Sequence, residues 1–353
     1  MASNPNSPDE IPHILVLGTG GTIAGLASHP EALADYRSGE VGIQTLLDRV
    51  KEGIPPSVKL NAQQIANIDS SDMSEELLTQ IGNAVKESLV NPLVKGVVIT
   101  HGTDTIEETG LFLSSVCGKL AQNLGKRVVL TGAMLPANAP MPDGPQNLLD
   151  AIRWSSTALE NCPGGVFAVF AGKVCLARDL AKRHTTALNA PLMDSQTSPI
   201  GLINPSWLSG VKATQAALGE DLPIPQGTWP WVEIATSHAG CKMQAIEALI
   251  KSGLHGLVLA GTGLGGVHQS WVRPLQEAQK AGIALVRASR AGAGAVSDVK
   301  DGLICELAGS LTAPKARIAL QLALNAANEG SDKSKSLTWQ DFFARIAVLP
   351  EYR

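Results

Sequence analysis

The sequence predicts an α/β fold: a larger N-terminal doubly wound parallel-sheet domain plus a smaller C-terminal α/β domain. Three observations carry this prediction. Short apolar runs of strand length recur along the chain, amphipathic helical stripes lie between them, and one proline-rich stretch interrupts the rhythm. The runs are HILVLG (13–18), GVVIT (96–100), RVVLTG (127–132) and GVFAVF (165–170), followed by GLVLAG (256–261) and IALVRAS (283–289). They lack the polar alternation of a half-exposed strand, and unbroken apolar strands are what a parallel sheet covered on both faces produces. Leu113, Val116, Cys117, Leu120 and Leu124 recur at helical spacing and stripe one face. Thr105 followed by Glu108 fits a capping box that starts this helix. Strand, loop and helix in repetition give a doubly wound arrangement.

The 353-residue length favours two domains. Residues 11–194 read as the first and 232–353 as the second. The stretch 195–231 between them, with Pro199, Pro205, Pro223, Pro225 and Pro230, reads as an extended linker in which Trp229 and Trp231 are anchors. In the second domain an apolar helical stretch covers 313–328. Trp339, Phe342, Phe343 and Ile346 stand at helical spacing in the tail and predict a docked helix.

Composition narrows the function. The formal charge of −4 and the lack of a basic stripe with interleaved aromatics argue against a nucleic-acid partner. No run approaches the length of a membrane span. The five cysteines are odd in number and widely spaced, with no C-x-x-C, which fits neither a disulfide framework nor a structural zinc site. Buried thiols in a reducing compartment are expected, and the N-terminus has no basic start or apolar stretch, so a cytoplasmic location is expected. No metal or cofactor is expected.

Two loops carry the chemistry. The first strand runs into Gly18-Thr19-Gly20-Gly21-Thr22-Ile23-Ala24-Gly25, which presents Thr22 at a strand's carboxyl end, where ligands bind in open α/β sheets. The spacing fits neither G-x-G-x-x-G nor a P-loop. The second strand leaves at Thr100 into His101-Gly102-Thr103-Asp104, close to a helix N-terminus whose free N–H groups favour developing negative charge. Taken singly, each loop also has a structural reading: a tight turn for the first, and an ordinary helix-start residue for Asp104.

Together, TGGTIAG and HGTDT strongly resemble the two signature motifs of the bacterial L-asparaginase family, and the resemblance extends over most of the chain. Asn67-Ile68-Asp69-Ser70-Ser71-Asp72-Met73 is similar to that family's substrate loop. Thr131-Gly132-Ala133-Met134, with Asp143-Gly144-Pro145 and Asn147-Leu148, is similar to the stretch after its third strand. Ala177-Arg178-Asp179-Leu180-Ala181-Lys182 resembles the segment carrying its active-site lysine. The continuation after HGTDT is closer to the type II enzymes, whose members are usually exported.

The resemblance implies a small amino-acid amide substrate and double displacement by a threonine hydroxyl, which needs a neighbouring base. Thr22 attacks the side-chain amide carbon, ammonia leaves, and water frees the acid. Tyr36 matches the family's mobile tyrosine and polarises or deprotonates Thr22. A phenol ionises only near pH ~10, so positive charge or hydrogen bonding must adjust it. Lys182 is the implied source, acting through Asp104 and Thr103. The residues do not decide which threonine forms the covalent bond; Thr22 is favoured. Backbone N–H groups at Thr22 and Thr103 are candidates for the oxyanion hole, and Ala133 meets the leaving amide. Ser70, with Ser71 beside it, binds the substrate carboxylate, and Asp104 pairs with the ammonium. A homotetramer of intimate dimers is implied, with one subunit's small domain closing another's site.

The chain also departs from its relatives. Ser71 stands where type II enzymes place Gln, Gly240 where they place Asn, and no Glu lies between Arg290 and Gly302, where Asp298 is the nearest acid. These changes bear on the ammonium contact and on the ratio of asparagine to glutamine hydrolysis. Two other functions stay open: the amide-cleaving subunit of a tRNA-dependent amidotransferase, and a non-catalytic ligand or dinucleotide module. For the latter, Gly261-x-Gly263-x-x-Gly266 follows a strand, but the next strand carries Arg287 rather than an acid, and a tight turn is the simpler reading. His101 borders the second loop and reads as a satisfied structural histidine.

Overall fold

The computed structural model describes residues 11–29, 31, 35–157, 164–187, 200–204, 207–209, 219–329 and 337–347. The chain divides into two compact units, Met1–Asp221 and Leu222–Arg353. In the first, β1 (His13–Gly20), the short pair β2 (Leu26–Ala27) and β3 (Tyr36–Arg37), and α1 (Ile43–Val50) lead to β4 (Leu60–Ile68) and α2 (Glu75–Val90). Next come β5 (Val94–Thr100), α3 (Ile106–Asn123), β6 (Arg127–Thr131), α4 (Gly144–Ser156) and β7 (Gly165–Phe170). β8 (Lys173–Leu176), β9 (Gly201–Asn204) and β10 (Trp207–Ser209) complete the unit.

The large sheet has the order β10-β9-β8-β7-β6-β5-β1-β4. Strands β4, β1, β5, β6 and β7 are parallel, as expected from their apolar runs, and β8 to β10 add an antiparallel edge. Gly18 pairs with Thr100, and Thr100 with Thr131, so the carboxyl ends of β1, β5 and β6 stand level. Val16, Leu17, Val97, Val98, Ile99, Val128, Val129 and Leu130 are fully enclosed, each contributing roughly 1.5–3 kcal/mol of burial. This rigid centre fixes the loops at its carboxyl edge.

Two expectations are revised. The Thr105 capping box does not form: its hydroxyl donates to the Ser70 carbonyl at 2.8 Å, and no side-chain cap bond is made. A tertiary acceptor wins over the local amide. The stretch read as a linker also contributes β9 and β10; edge strands tolerate neighbouring prolines. Its residues 195–199, 205–206 and 210–218 lie outside the described residues.

The second unit holds β11 (Val232–Thr236), α5 (Met243–Lys251), β12 (Gly256–Gly261), α6 (Gln269–Lys280), β13 (Ala284–Ser289), β14 (Glu306–Leu307), α7 (Ala313–Glu329) and α8 (Trp339–Ile346). Its four strands lie in sequence order and are all parallel. The tail helix α8 packs on α7 and buries Phe343 and Ile346. After β12, Thr262 and Gly266 exchange backbone hydrogen bonds at 2.8 and 2.9 Å, a tight turn three residues short of α6. Arg287 is enclosed there by Asp301 (3.0 Å at both nitrogens) and the Gly265 carbonyl (2.7 Å). A dinucleotide's 2′-phosphate would need that guanidinium, and its pyrophosphate a helix start directly after the glycines. Among the described residues no helix is long and apolar enough to cross a membrane.

Candidate active site

The loops that follow β1 and β5 touch through their backbones. Gly21 has φ 77°, and a Cβ there would lie 2.4 Å from the Gly102 Cα and N. Only glycine permits both that torsion and that approach. Thr22 opens a short 3₁₀ turn, Thr22–Ala24, pinned by Ala24 N–H donating to the Gly21 carbonyl and Gly25 N–H to that of Thr22. Thr22 is 7% exposed, and its Oγ1 lies 2.7 Å from the Tyr36 hydroxyl. Tyr36 arrives on the β2–β3 ribbon, opposite Ala27.

On the second loop Thr103 is buried, and Lys182 reaches it from the chain following β8 and the Ala177–Asp179 turn. The Lys182 ammonium donates to Thr103 Oγ1 at 2.9 Å and to Asp104 Oδ1 at 2.6 Å. An ammonium only donates, so Thr103 accepts this bond and keeps its own proton free to donate elsewhere. Asp104 is 54% exposed at its side chain, against 20% for Lys182. A cavity of about 360 Å³ adjoins the ion pair, lined by Asp104, Glu107, Lys182, Arg183, His184 and Thr185.

Ser70, 3% exposed, stands in the turn after β4, and its Oγ accepts from Asp104 N–H at 3.2 Å. Ser71 is exposed, and its hydroxyl and amide both donate to Asp69 Oδ1, at 2.8 and 2.9 Å. The other Asp69 oxygen accepts from Ser38 at 2.6 Å. The Ser38 bond foremost, then those from Ser71 and the Lys182 charge, hold this carboxyl below the usual range against a smaller opposing effect of burial. Ala133 is fully buried in the loop after β6. That loop is braced by Asp143, which accepts from Met134 and Leu135 amides at 2.9 Å, and by Asn147, which donates to the Gly132 carbonyl at 3.0 Å. The motif's resemblance assigns Asp143 and Asn147 no role; an acid and an amide four residues apart at a helix start are the local signal of this brace.

Thr22 with Tyr36, and Ser70 with Thr103, Asp104 and Lys182, thus form two hydrogen-bonded groups on loops that meet at Gly21 and Gly102, with Ala133 on the loop after β6. Ser71 faces Asp69. Gly240 and Asp298 belong to the second unit. His101 is fully buried, with Nδ1 2.7 Å from the Gly102 carbonyl and Nε2 2.9 Å from the Thr109 hydroxyl. Burial pushes its pKa down to about 4. A neutral ring with Nδ1–H donating and Nε2 accepting satisfies both contacts, so this histidine shapes the loop. Among the described residues no group of three or more His, Cys, Asp or Glu side chains could hold a metal ion.

Residues 13–209 match the family model "Asparaginase, N-terminal", and residues 231–336 match "Glutaminase/Asparaginase C-terminal domain". L-asparaginase 2 of Escherichia coli (strain K12) is 33% identical over 325 residues, 89% of each chain. A glutaminase-asparaginase of Pseudomonas fluorescens biotype A is 29% identical, covering 96% of this chain and 93% of its own. The crystal structure of a probable cytoplasmic L-asparaginase from Campylobacter jejuni is similar with a TM-score of 0.79 at 31% identity, covering 94% of this chain and 99% of that one. With both of its units matched in order, the chain belongs to the asparaginase family.

Proposed function

We propose that the chain hydrolyses L-asparagine to aspartate and ammonia, with L-glutamine as a second substrate, through an acyl-enzyme on Thr22. The family makes it a hydrolase of amides. One observation carries the finer reading: two distant hydroxyls occupy one edge of the sheet with different partners, Tyr36 for Thr22 and Lys182 for Thr103.

Those partners divide the labour. Thr22 Oγ bonds to the side-chain amide carbon. Its proton passes to the Tyr36 oxygen as the phenol gives its own proton to the departing nitrogen, which leaves as ammonia. The relay returns Tyr36 to its starting state and needs no free phenolate. Thr103 receives a hydrogen bond from a cation, which makes it the better acid and the poorer nucleophile. It is therefore left to hydrogen-bond the substrate beside the reacting carbon, and Thr22 takes the acyl group. Backbone N–H groups of Thr22 and Thr103 meet the negative oxygen of the tetrahedral state. Water then adds to the ester, and its proton returns to Thr22 Oγ as aspartate is freed. Ser70 takes the substrate carboxylate and Asp104 its ammonium, with Ala133 walling the amide side.

A homotetramer is part of the proposal: the exposed half of Asp104 is a charged contact that another subunit must cover to dry the site. So is a reducing, cytoplasmic compartment, in keeping with the free thiols of Cys117, Cys175, Cys241 and Cys305. A coupled ammonia assay on L-asparagine, L-glutamine and their D-isomers tests the reading. Thr22→Ala is expected to end ammonia release with the fold intact; near-normal turnover removes Thr22 from its role. Light scattering tests the assembly, and a fully active monomer contradicts it.

A further inference from the structure

We propose that Ser38 and Asp69 form a latch that positions Tyr36 against Thr22 and ties it to the substrate-carboxylate turn. The inference rests on the reaction proposed above. Tyr36 sits on a ribbon of two paired residues per strand, Leu26 with Arg37 and Ala27 with Tyr36, and a ribbon that short is marginal by itself. Something else must hold its hydroxyl 2.7 Å from Thr22. Two residues on, Ser38 donates to Asp69 Oδ2 at 2.6 Å, within the short range of a hydroxyl bonded to an anion. Gly39 follows with φ 72°, so close to Asn67 that a Cβ would lie 2.7 Å from its carbonyl carbon. The chain is thus clamped on the segment that carries Ser70.

The same carboxylate works in two directions. Asp69 Oδ1 accepts from the Ser71 amide and hydroxyl and so caps the 3₁₀ turn Ser70–Asp72. That turn delivers Ser70 to the Asp104 amide and the Thr105 hydroxyl. Asp69 touches neither threonine of the pair, yet it joins the tyrosine strand to the turn that faces the substrate. The bonds from Ser38 and Ser71, with the nearby Lys182 charge, keep it ionised, which keeps both bonds charge-assisted. Ser38 and Asp69 are therefore positioning residues.

Ser38→Ala breaks one side of the latch and leaves the Ser71 cap in place. It is expected to lower kcat on L-asparagine about tenfold, from the loss of one charge-assisted bond, with KM changed less than about twofold because Ser70 and Asp104 remain. Ser38→Thr is expected to restore most of the rate. Adding Asp69→Asn to Ser38→Ala is expected to cost less than the two single effects combined. Hydrogen exchange of the amides of residues 36–39 needs no turnover, and it is expected to be faster in Ser38→Ala. If the parent protein hydrolyses no amide, the proposed reaction falls and exchange alone decides the latch. An unchanged kcat in an active parent, or unchanged exchange in either case, overturns it.

Discussion

A single methyl group added at Gly21 would force the two threonine loops apart. The Cβ of Gly21→Ala would lie 2.4 Å from the Gly102 Cα and N and 2.9 Å from the His101 carbonyl carbon. Carbon atoms rest at about 3.5 Å, so the backbones must part by about 1 Å. Retreat is blocked behind Gly102: a Cβ there would itself lie 2.5 Å from Ser70 Oγ, and the His101 ring is bonded at both nitrogens. A left-handed torsion on alanine adds about 1 kcal/mol. Because a misplacement of about 1 Å can cost roughly 100-fold in rate, Gly21→Ala should reduce kcat for ammonia release by about two orders of magnitude. Gly125→Ala is the control. Gly125 is also left-handed, at φ 63°, but nothing lies within 4 Å of its Cβ position, so this variant should lose about 1 kcal/mol of stability and keep its turnover. Both variants are assayed for ammonia release, with thermal unfolding to verify that they are folded. A folded Gly21→Ala within about threefold of the parent rate would rule out a rate-setting contact between the loops.

Lys182→Met removes the cation from Thr103 and Asp104, so kcat should fall by at least about 100-fold, more than any change in KM; steady-state kinetics with an unchanged kcat would remove Lys182 from the mechanism. His101 gives a pH dependence. Its folded pKa is about 4, against about 6.5 for an unfolded imidazole. Between those values the unfolded chain binds the extra proton, so this contribution to stability falls as pH drops from about 6.5 to 4, by at most about 1.4 kcal/mol per pH unit. Urea midpoints at pH 7 and 5 should therefore differ more in the parent than in His101→Gln, and equal differences would contradict the assignment. Burial pushes the Cys117 thiol up to about 12, so at pH 8 it should stay protonated and unlabelled by a thiol reagent until the protein unfolds; peptide mass mapping of labelled native protein checks this.

The elements legible in the sequence were those whose environment is uniform. β1, β5, β6, β7, β12 and β13 are buried on both faces, so unbroken apolar runs announced them. β4, LNAQQIANI, is not legible because among the described residues it is an edge strand paired only with β1, and its polar residues answer to solvent. The turn from β7 to β8 was hidden because Ala171 takes φ 48°, where a local signal would be Asn or Gly. At the site, the glycine-rich strand ends marked Thr22 and Thr103, and family resemblance linked them to Tyr36, Asp104 and Lys182. The Ser38–Asp69 bond spans 31 residues and leaves no periodic trace. Nor could local spacing reveal that Thr105 would spend its hydroxyl on Ser70. Such choices are made by tertiary neighbours.

Thr22, not Thr103, is proposed to carry the acyl group. Acid-quenching the protein during turnover of L-asparagine and mapping its peptides by mass spectrometry tests it directly. An aspartyl ester on the peptide containing Thr22, and its loss in Thr22→Ala, is the predicted result. An ester on Thr103 would overturn the assignment of Thr22.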